Sequence, residues 1–185
     1  MEKEFEREWL LALEKRFGVE ATIAQVTLAD RPRMLIYYFK DFPENGMLTA
    51  VTAGLSNASH PDWIHGKPEL SFALRTEDSK WGASAAFLAQ AFFDQKPFRY
   101  ESSFAIDRPM SGDSPMNACF VYSPPFLNSD QIKFELSDRT IFLAGLFPMY
   151  EEEIAVYESK GFLEFCRTPG FDPYNPRRAN LAVQG

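Results

Sequence analysis

Two cysteines and two histidines in 185 residues leave little material for redox, metal or nucleophilic chemistry. Cys119 and Cys166 lie far apart, each beside a phenylalanine (Phe120, Phe165), a setting for small buried hydrophobes rather than a disulfide or metal ligands. No Cys-x-x-Cys occurs, and no glycine-rich loop precedes a helix to cradle a phosphate. A basic surplus is also missing: 19 Lys and Arg against 26 Asp and Glu give a net charge of −7. That disfavours a nucleic-acid role, which needs a basic face to displace counterions. It is compatible with a basic protein partner, and also with a charge that only keeps the chain soluble. No apolar run approaches the roughly 20 residues that cross a bilayer. Met1-Glu2-Lys3-Glu4-Phe5 is charged from the start, without the basic-then-apolar pattern of a signal peptide. A cytoplasmic location is therefore expected, with neither membrane nor nucleic acid as partner.

What the chain has is apolar and aromatic mass. Hydrophobic residues make up 45%, aromatic residues 15%, and 18 of the latter are Phe. One domain of this length can bury a sizeable core without staples. Phe5, Trp9, Leu13 and Phe17 recur every four residues, which predicts an amphipathic helix over residues 1–18, stopped by Gly18 and laid on a sheet. Strands are expected over 22–28, 34–39 and 47–52, separated by Arg31-Pro32 and by the turn Glu44-Asn45-Gly46, as antiparallel hairpins. Residues 69–76 read as a further strand with Leu70, Phe72 and Leu74 on one face. A helix over 80–94 has Ser79 as N-cap, a stripe of Trp81, Ala85, Leu88 and Phe92, and Pro97 to close it.

Residues 107–128 are rich in Pro, Ser and Gly, with one short strand at 118–122; the stretch is either a binding loop or an irregular crossover. Residues 132–136 alternate as a half-buried strand, and the apolar run 141–147 predicts a strand buried on both faces. After Pro148 a helix is expected, with Glu151, Glu152 and Glu153 in its first turn, where the helix dipole favours carboxylates, and Gly161 at its end. The remainder, 168–185, carries three prolines and reads as an extended tail, pinned by Phe171 and Tyr174 and mobile at its end. The whole is expected to be α+β: a mixed, largely antiparallel sheet flanked by helices.

Candidate chemistry concentrates in the polar stretch 57–67, which carries His60, Asp62, Trp63 and His65. Imidazole and carboxylate are ordinary metal ligands, so His60, Asp62 and His65 raise a metal or enzymatic reading, although their spacing matches no helical or finger pattern. Ser56 near His60 and Asp62 invites a triad, but Gly54-Leu55-Ser56-Asn57-Ala58 lacks the second glycine of a nucleophile elbow. Trp63 stands outside any apolar stripe: it is either an interface anchor or a side chain folded back onto the core.

Four stretches, in order and spacing, resemble the suppressor-of-fused domain family. They are Thr52-Ala53-Gly54-Leu55-Ser56; Glu69-Leu70-Ser71-Phe72-Ala73-Leu74-Arg75; the helix opened by Trp81 and continued by Leu88-Ala89-Gln90-Ala91-Phe92-Phe93; and Leu146-Phe147-Pro148-Met149-Tyr150-Glu151-Glu152-Glu153-Ile154, followed by Gly161. The likeness spans about residues 35–165, with departures in the loops 57–67 and 107–128. It implies a mixed α/β fold without catalytic residues or cofactors. Animal members of the family carry a further C-terminal domain and hold a transcription factor through a short peptide that adds to sheet edges. Single-domain bacterial members, whose length this chain resembles, are proposed immunity proteins.

The resemblance thus implies a domain over 1–167 and a tail over 168–185. It implies a protein-binding function, a toxin-neutralising or scaffold role, with no metal and no cofactor. Asp62, Trp63, His65, Glu151 and Glu152 are the expected partner contacts. The competing expectations are an enzyme or metal-binding protein using His60, Asp62 and His65, and a structural subunit that self-associates through exposed aromatics.

Overall fold

Apolar residues at every fourth position wind the first segment into helix α1 (Glu2–Phe17), where Phe5, Trp9, Leu13 and Phe17 are all buried. The computed structural model describes residues 2–183 of the chain, with the side chains from Lys3 onward. Gly18, at φ 72°, turns the chain out of α1 while its N–H still donates to the Glu14 carbonyl at 2.8 Å. Four strands follow as an antiparallel meander: β1 (Thr22–Val26), β2 (Met34–Lys40), β3 (Leu48–Ala53) and β4 (Lys67–Leu74). Helix α2 (Lys80–Ala91) then crosses the sheet, and β5 (Ser103–Ala105), β6 (Ala118–Tyr122) and β7 (Lys133–Glu135) precede the long central strand β8 (Thr140–Met149). Helices α3 (Glu153–Lys160) and α4 (Phe162–Cys166) follow it.

The sheet order is β1-β2-β3-β4-β8-β6-β5, with β7 also on β8. Among the described residues only β4 and β8 run parallel, in the register Lys67↔Ile141 to Ser71↔Gly145. The α+β class with a mixed, largely antiparallel sheet is therefore what the chain adopts. Alternation along β8 divides the core. Ala144 and Leu146 face α2, meeting Trp81, Ala85 and Leu88. Ile141 and Leu143 face α1, and Phe147 and Met149 continue that face to Tyr157 of α3 and Phe165 of α4. The sheet thus has helices on both faces. Gly82 lets α2 sit tightly on β2: a Cβ there would lie 2.6 Å from the Tyr38 ring.

Several expectations need correction. Strand β8 does not stop at Phe147 but runs through Pro148 to Met149. The Pro148 carbonyl accepts from Arg178 Nη2 at 3.3 Å, so that side of the residue faces no strand and the missing N–H costs no ladder bond. The last major helix begins at Glu153, leaving Glu151 and Glu152 in the turn before it. Ser79 occupies the cap position of α2 without a side-chain bond, and Asp78 instead accepts the Lys80 N–H at 3.0 Å. The short edge strand β5 was not foreseen.

Among the described residues after Thr168 there is no strand or α-helix, yet the segment is fastened beyond Phe171 and Tyr174. Arg178 is buried and makes a bidentate pair with buried Glu153 (2.6 and 2.7 Å), and Leu181 is buried too. Gln184 and Gly185, part of the expected mobile end, lie outside the described residues.

Candidate partner-binding site

The loop carrying His60, Asp62 and Trp63 is launched from a hydrogen-bonded unit at the end of β3. Glu69, fully buried, accepts from the Thr52 hydroxyl (2.7 Å), the Gly54 N–H (2.9 Å) and the Ser56 N–H (3.0 Å). Thr52 Oγ1 in turn accepts the Leu70 N–H at 2.8 Å, where β3 and β4 part, and the Trp9 indole caps the Thr52 carbonyl at 3.0 Å. Burial raises the pKa of the Glu69 carboxyl, and the bonds from Ser56, Thr52 and Gly54 oppose that rise. Gly54 sits at φ 137° with its Cβ position against the Met34 side chain, so this turn admits only glycine without strain. Three of the residues that carry the family resemblance, Thr52, Gly54 and Ser56, are thus donors to a fourth, Glu69.

Further bonds fix the loop's course. The Lys67 ammonium donates to the Ala58 carbonyl (2.9 Å), Arg139 to the Ser56 carbonyl (3.1 Å) and to Asn57 Oδ1 (2.8 Å), and the Ser59 N–H to Asp94 (2.8 Å). His60 Nδ1 accepts the Asp62 N–H at 3.2 Å, and Asp62 pairs with Arg99 at 2.5 Å. Trp63 folds back onto the body: its indole N–H donates to the Pro97 carbonyl at 2.9 Å and its ring packs on the α2-side core. Folded back in this way, Trp63 is still only half-buried. Trp63 becomes one wall of a groove of about 350 Å³ lined also by Pro97, Phe98, Tyr100, Ile132 and Phe142, with the Asp62–Arg99 pair at its rim. Ile64, which follows Trp63 in the chain, is 76% exposed.

The expected site residues do not converge. Asp62 and Trp63 line the groove, whereas His65 is exposed and outside its lining. His60 and Asp62 touch (3.6 Å), but among the described residues no group of three His, Cys, Asp or Glu is gathered to hold a metal ion. Glu151 and Glu152 follow the far end of β8, on the order of 20 Å beyond the stretch that floors the groove. There each bonds an asparagine: Asn117 donates to Glu151 at 2.9 Å and Asn180 to Glu152 at 3.4 Å. The acidic residue that matters to the fold is their neighbour Glu153. Besides Arg178, it accepts the Tyr150 and Leu181 N–H groups, at 3.0 and 2.7 Å. The groove's other walls, residues 97–100, 132 and 142, were not anticipated.

No protein-family model matches the sequence, and no curated protein matches it. Solved structures do. A suppressor-of-fused homologue from Neisseria gonorrhoeae superposes with a TM-score of 0.73 over 97% of both chains, at 17% identity. The chain has the suppressor-of-fused fold. A structure of a Sufu–Fu complex matches with a TM-score of 0.68 at 13% identity, covering 96% of this chain and 92% of that one. Drosophila Suppressor of Fused matches with a TM-score of 0.65 at 15% identity; 97% of this chain corresponds to 52% of the fly chain, so the chain spans about half its length. Among the described residues no helix is long and apolar enough to cross a membrane. The stretches that carry the resemblance are internal: Glu69 with its donors, Trp81 of α2, and Glu153 with its partner Arg178 are buried.

Proposed function

We propose that the chain is a non-catalytic protein-binding domain whose contact surface is centred on the groove at Trp63. The observation that supports this most is the composition of that groove: a Trp63 wall held by its indole bond, Phe98, Tyr100 and Phe142, and one rim ion pair, with the exposed Ile64 next to Trp63 in the chain. Aromatic walls held in place lose little freedom on binding, the usual make-up of an interface centre. His65 then lies at the margin of the contact.

Glu151 and Glu152 form a separate acidic end that would steer a basic partner without entering the groove. The finer reading is a basic toxin domain neutralised by occlusion. It draws on the net charge of −7 and on this acidic end. The likeness to a chain solved as a Sufu–Fu complex supports protein binding in general.

The test is capture from source-cell extract with tagged wild-type chain, Ile64→Asp and a Glu151→Lys/Glu152→Lys variant, read by mass spectrometry. One stoichiometric protein held by the wild type, lost with Ile64→Asp and weakened by the lysine variant is expected. Equal capture by wild type and Ile64→Asp, or no stoichiometric protein at all, contradicts the reading.

A further inference from the structure

The two edges of the sheet are unequal. At one end β5 is three residues long, and such brevity blunts an edge. At the other, β1 offers five consecutive residues, Thr22-Ile23-Ala24-Gln25-Val26, without a charge, proline or glycine. Four of the five are exposed, Ile23 at 55%. Its outward N–H and C=O groups are those of a strand paired on one side only.

Two hollows lie on the α2 face at the ends of this strand. One, of about 410 Å³, is reached at Thr22 and carries Asp41, Glu77 and Lys40. The other, of about 360 Å³, is reached at Val26 and carries Lys80 and Arg108. Arg108 stacks on Phe87 at 4.6 Å, and Lys80 lies near Asp78, whose carboxylate accepts the Gly112 N–H at 2.8 Å.

We infer that the β1 edge joins a second copy of this chain, antiparallel, about a twofold axis at Ala24. Pairing in that register sets Thr22 opposite the second copy's Val26, Ile23 opposite its Gln25, and Ala24 opposite Ala24, with no charge in the ladder. Because the strand directions oppose, the Lys80/Arg108 end of one copy meets the Asp41/Glu77 end of the other, twice. Lys40 at one end and Asp78 at the other reduce that attraction without reversing it: two carboxylates to one ammonium meet two cations to one carboxylate. On the α1 face the exposed Ile23 is covered by the second copy's strand. A self-complementary strip with opposite charge at its two ends is what an isologous contact requires. This inference does not rest on the Trp63 groove, which lies elsewhere on the molecule.

The experiment is light scattering over a concentration series, with cysteine cross-linking. A mass rising towards twice the 21.1 kDa of one chain is expected. Ala24→Cys should link two chains under mild oxidation, since directly opposed Cα atoms lie about 4.5–5.5 Å apart, within disulfide range. Thr22→Cys alone, equally exposed but far from its own symmetry mate, should not; Thr22→Cys mixed with Val26→Cys should. Arg108→Glu should weaken association about fivefold, each contact occurring twice, and adding Glu77→Arg should restore it.

Cross-linking that is equal at positions 22 and 24, or a monomer throughout the series, overturns the proposal. A monomer whose β1 amides gain exchange protection only when another protein is added overturns it too, and assigns the edge to that protein. Neither Ala24→Cys nor Arg108→Glu touches the Trp63 groove, so capture by the groove is unaffected whichever result is found.

Discussion

Replacing Glu69 isolates the energetics of the turn that launches the candidate loop. Glu69→Ala leaves three buried donors, the Thr52 hydroxyl and the Gly54 and Ser56 N–H groups, without their acceptor. A buried donor left without a partner costs about 1–3 kcal/mol and such costs do not add fully, so a loss of about 3–6 kcal/mol is expected. That is a large part of the roughly 5–15 kcal/mol that holds a domain together. Glu69→Gln keeps an oxygen for the two N–H groups and turns an amide N–H toward Thr52, and should cost only about 1–2 kcal/mol.

The two variants also differ from wild type in pH dependence. Burial holds the folded-state pKa of Glu69 above its ordinary 4.5. Folding therefore takes up a proton in the interval between the two values. The Glu69 contribution is whole below pH 4.5 and is lost as pH rises through the folded-state pKa. Glu69→Gln, which has no such proton, should show a flatter stability–pH curve above pH 4.5. Urea unfolding followed by tryptophan fluorescence measures both effects, and Trp9, bonded to the Thr52 carbonyl, sits beside the perturbation. A Glu69→Ala loss under about 2 kcal/mol, or a Gln variant with the wild-type pH slope, would refute this account of the turn.

Arg178→Ala strands the buried Glu153 carboxylate and should cost about 3–5 kcal/mol in chemical unfolding, with faster hydrogen exchange in α3. Gly82→Ala drives a methyl into the Tyr38 ring and should cost about 1–3 kcal/mol. Combining it with Tyr38→Ala should recover most of that loss, and a double-mutant cycle with no coupling would show that the contact is not the cause.

Local periodicity made much of the fold legible. In α1 every buried contact is written into the four-residue recurrence of Phe5, Trp9, Leu13 and Phe17, and the β1–β3 hairpins follow from turn residues such as Asn45-Gly46. Where a residue's role depends on a distant partner, sequence pattern was silent. Among Glu151, Glu152 and Glu153 nothing nearby marks the third as buried, because its partner Arg178 comes 25 positions later. Pro148 reads as a strand end only if a neighbour needs its N–H, and none does. Strand β5 is too short to show alternation, with Phe104 its one buried residue. The candidate groove draws walls from four separate parts of the chain, so only Asp62 and Trp63, on the conspicuous polar loop, were foreseeable.

Strand β8 sets the order in which this molecule can assemble. The meander β1–β4 needs only neighbouring segments, but β8 docks on β4 after residues 75–139 have been looped out. Closing so long an excursion is entropically costly and slow compared with making a hairpin. Until it closes, β4 is itself a bare margin, and the β5–β6 pair and β7 have no central strand to join. A growing or refolding chain therefore holds half a sheet in waiting, and its seam is sealed only when residues 140–149 arrive.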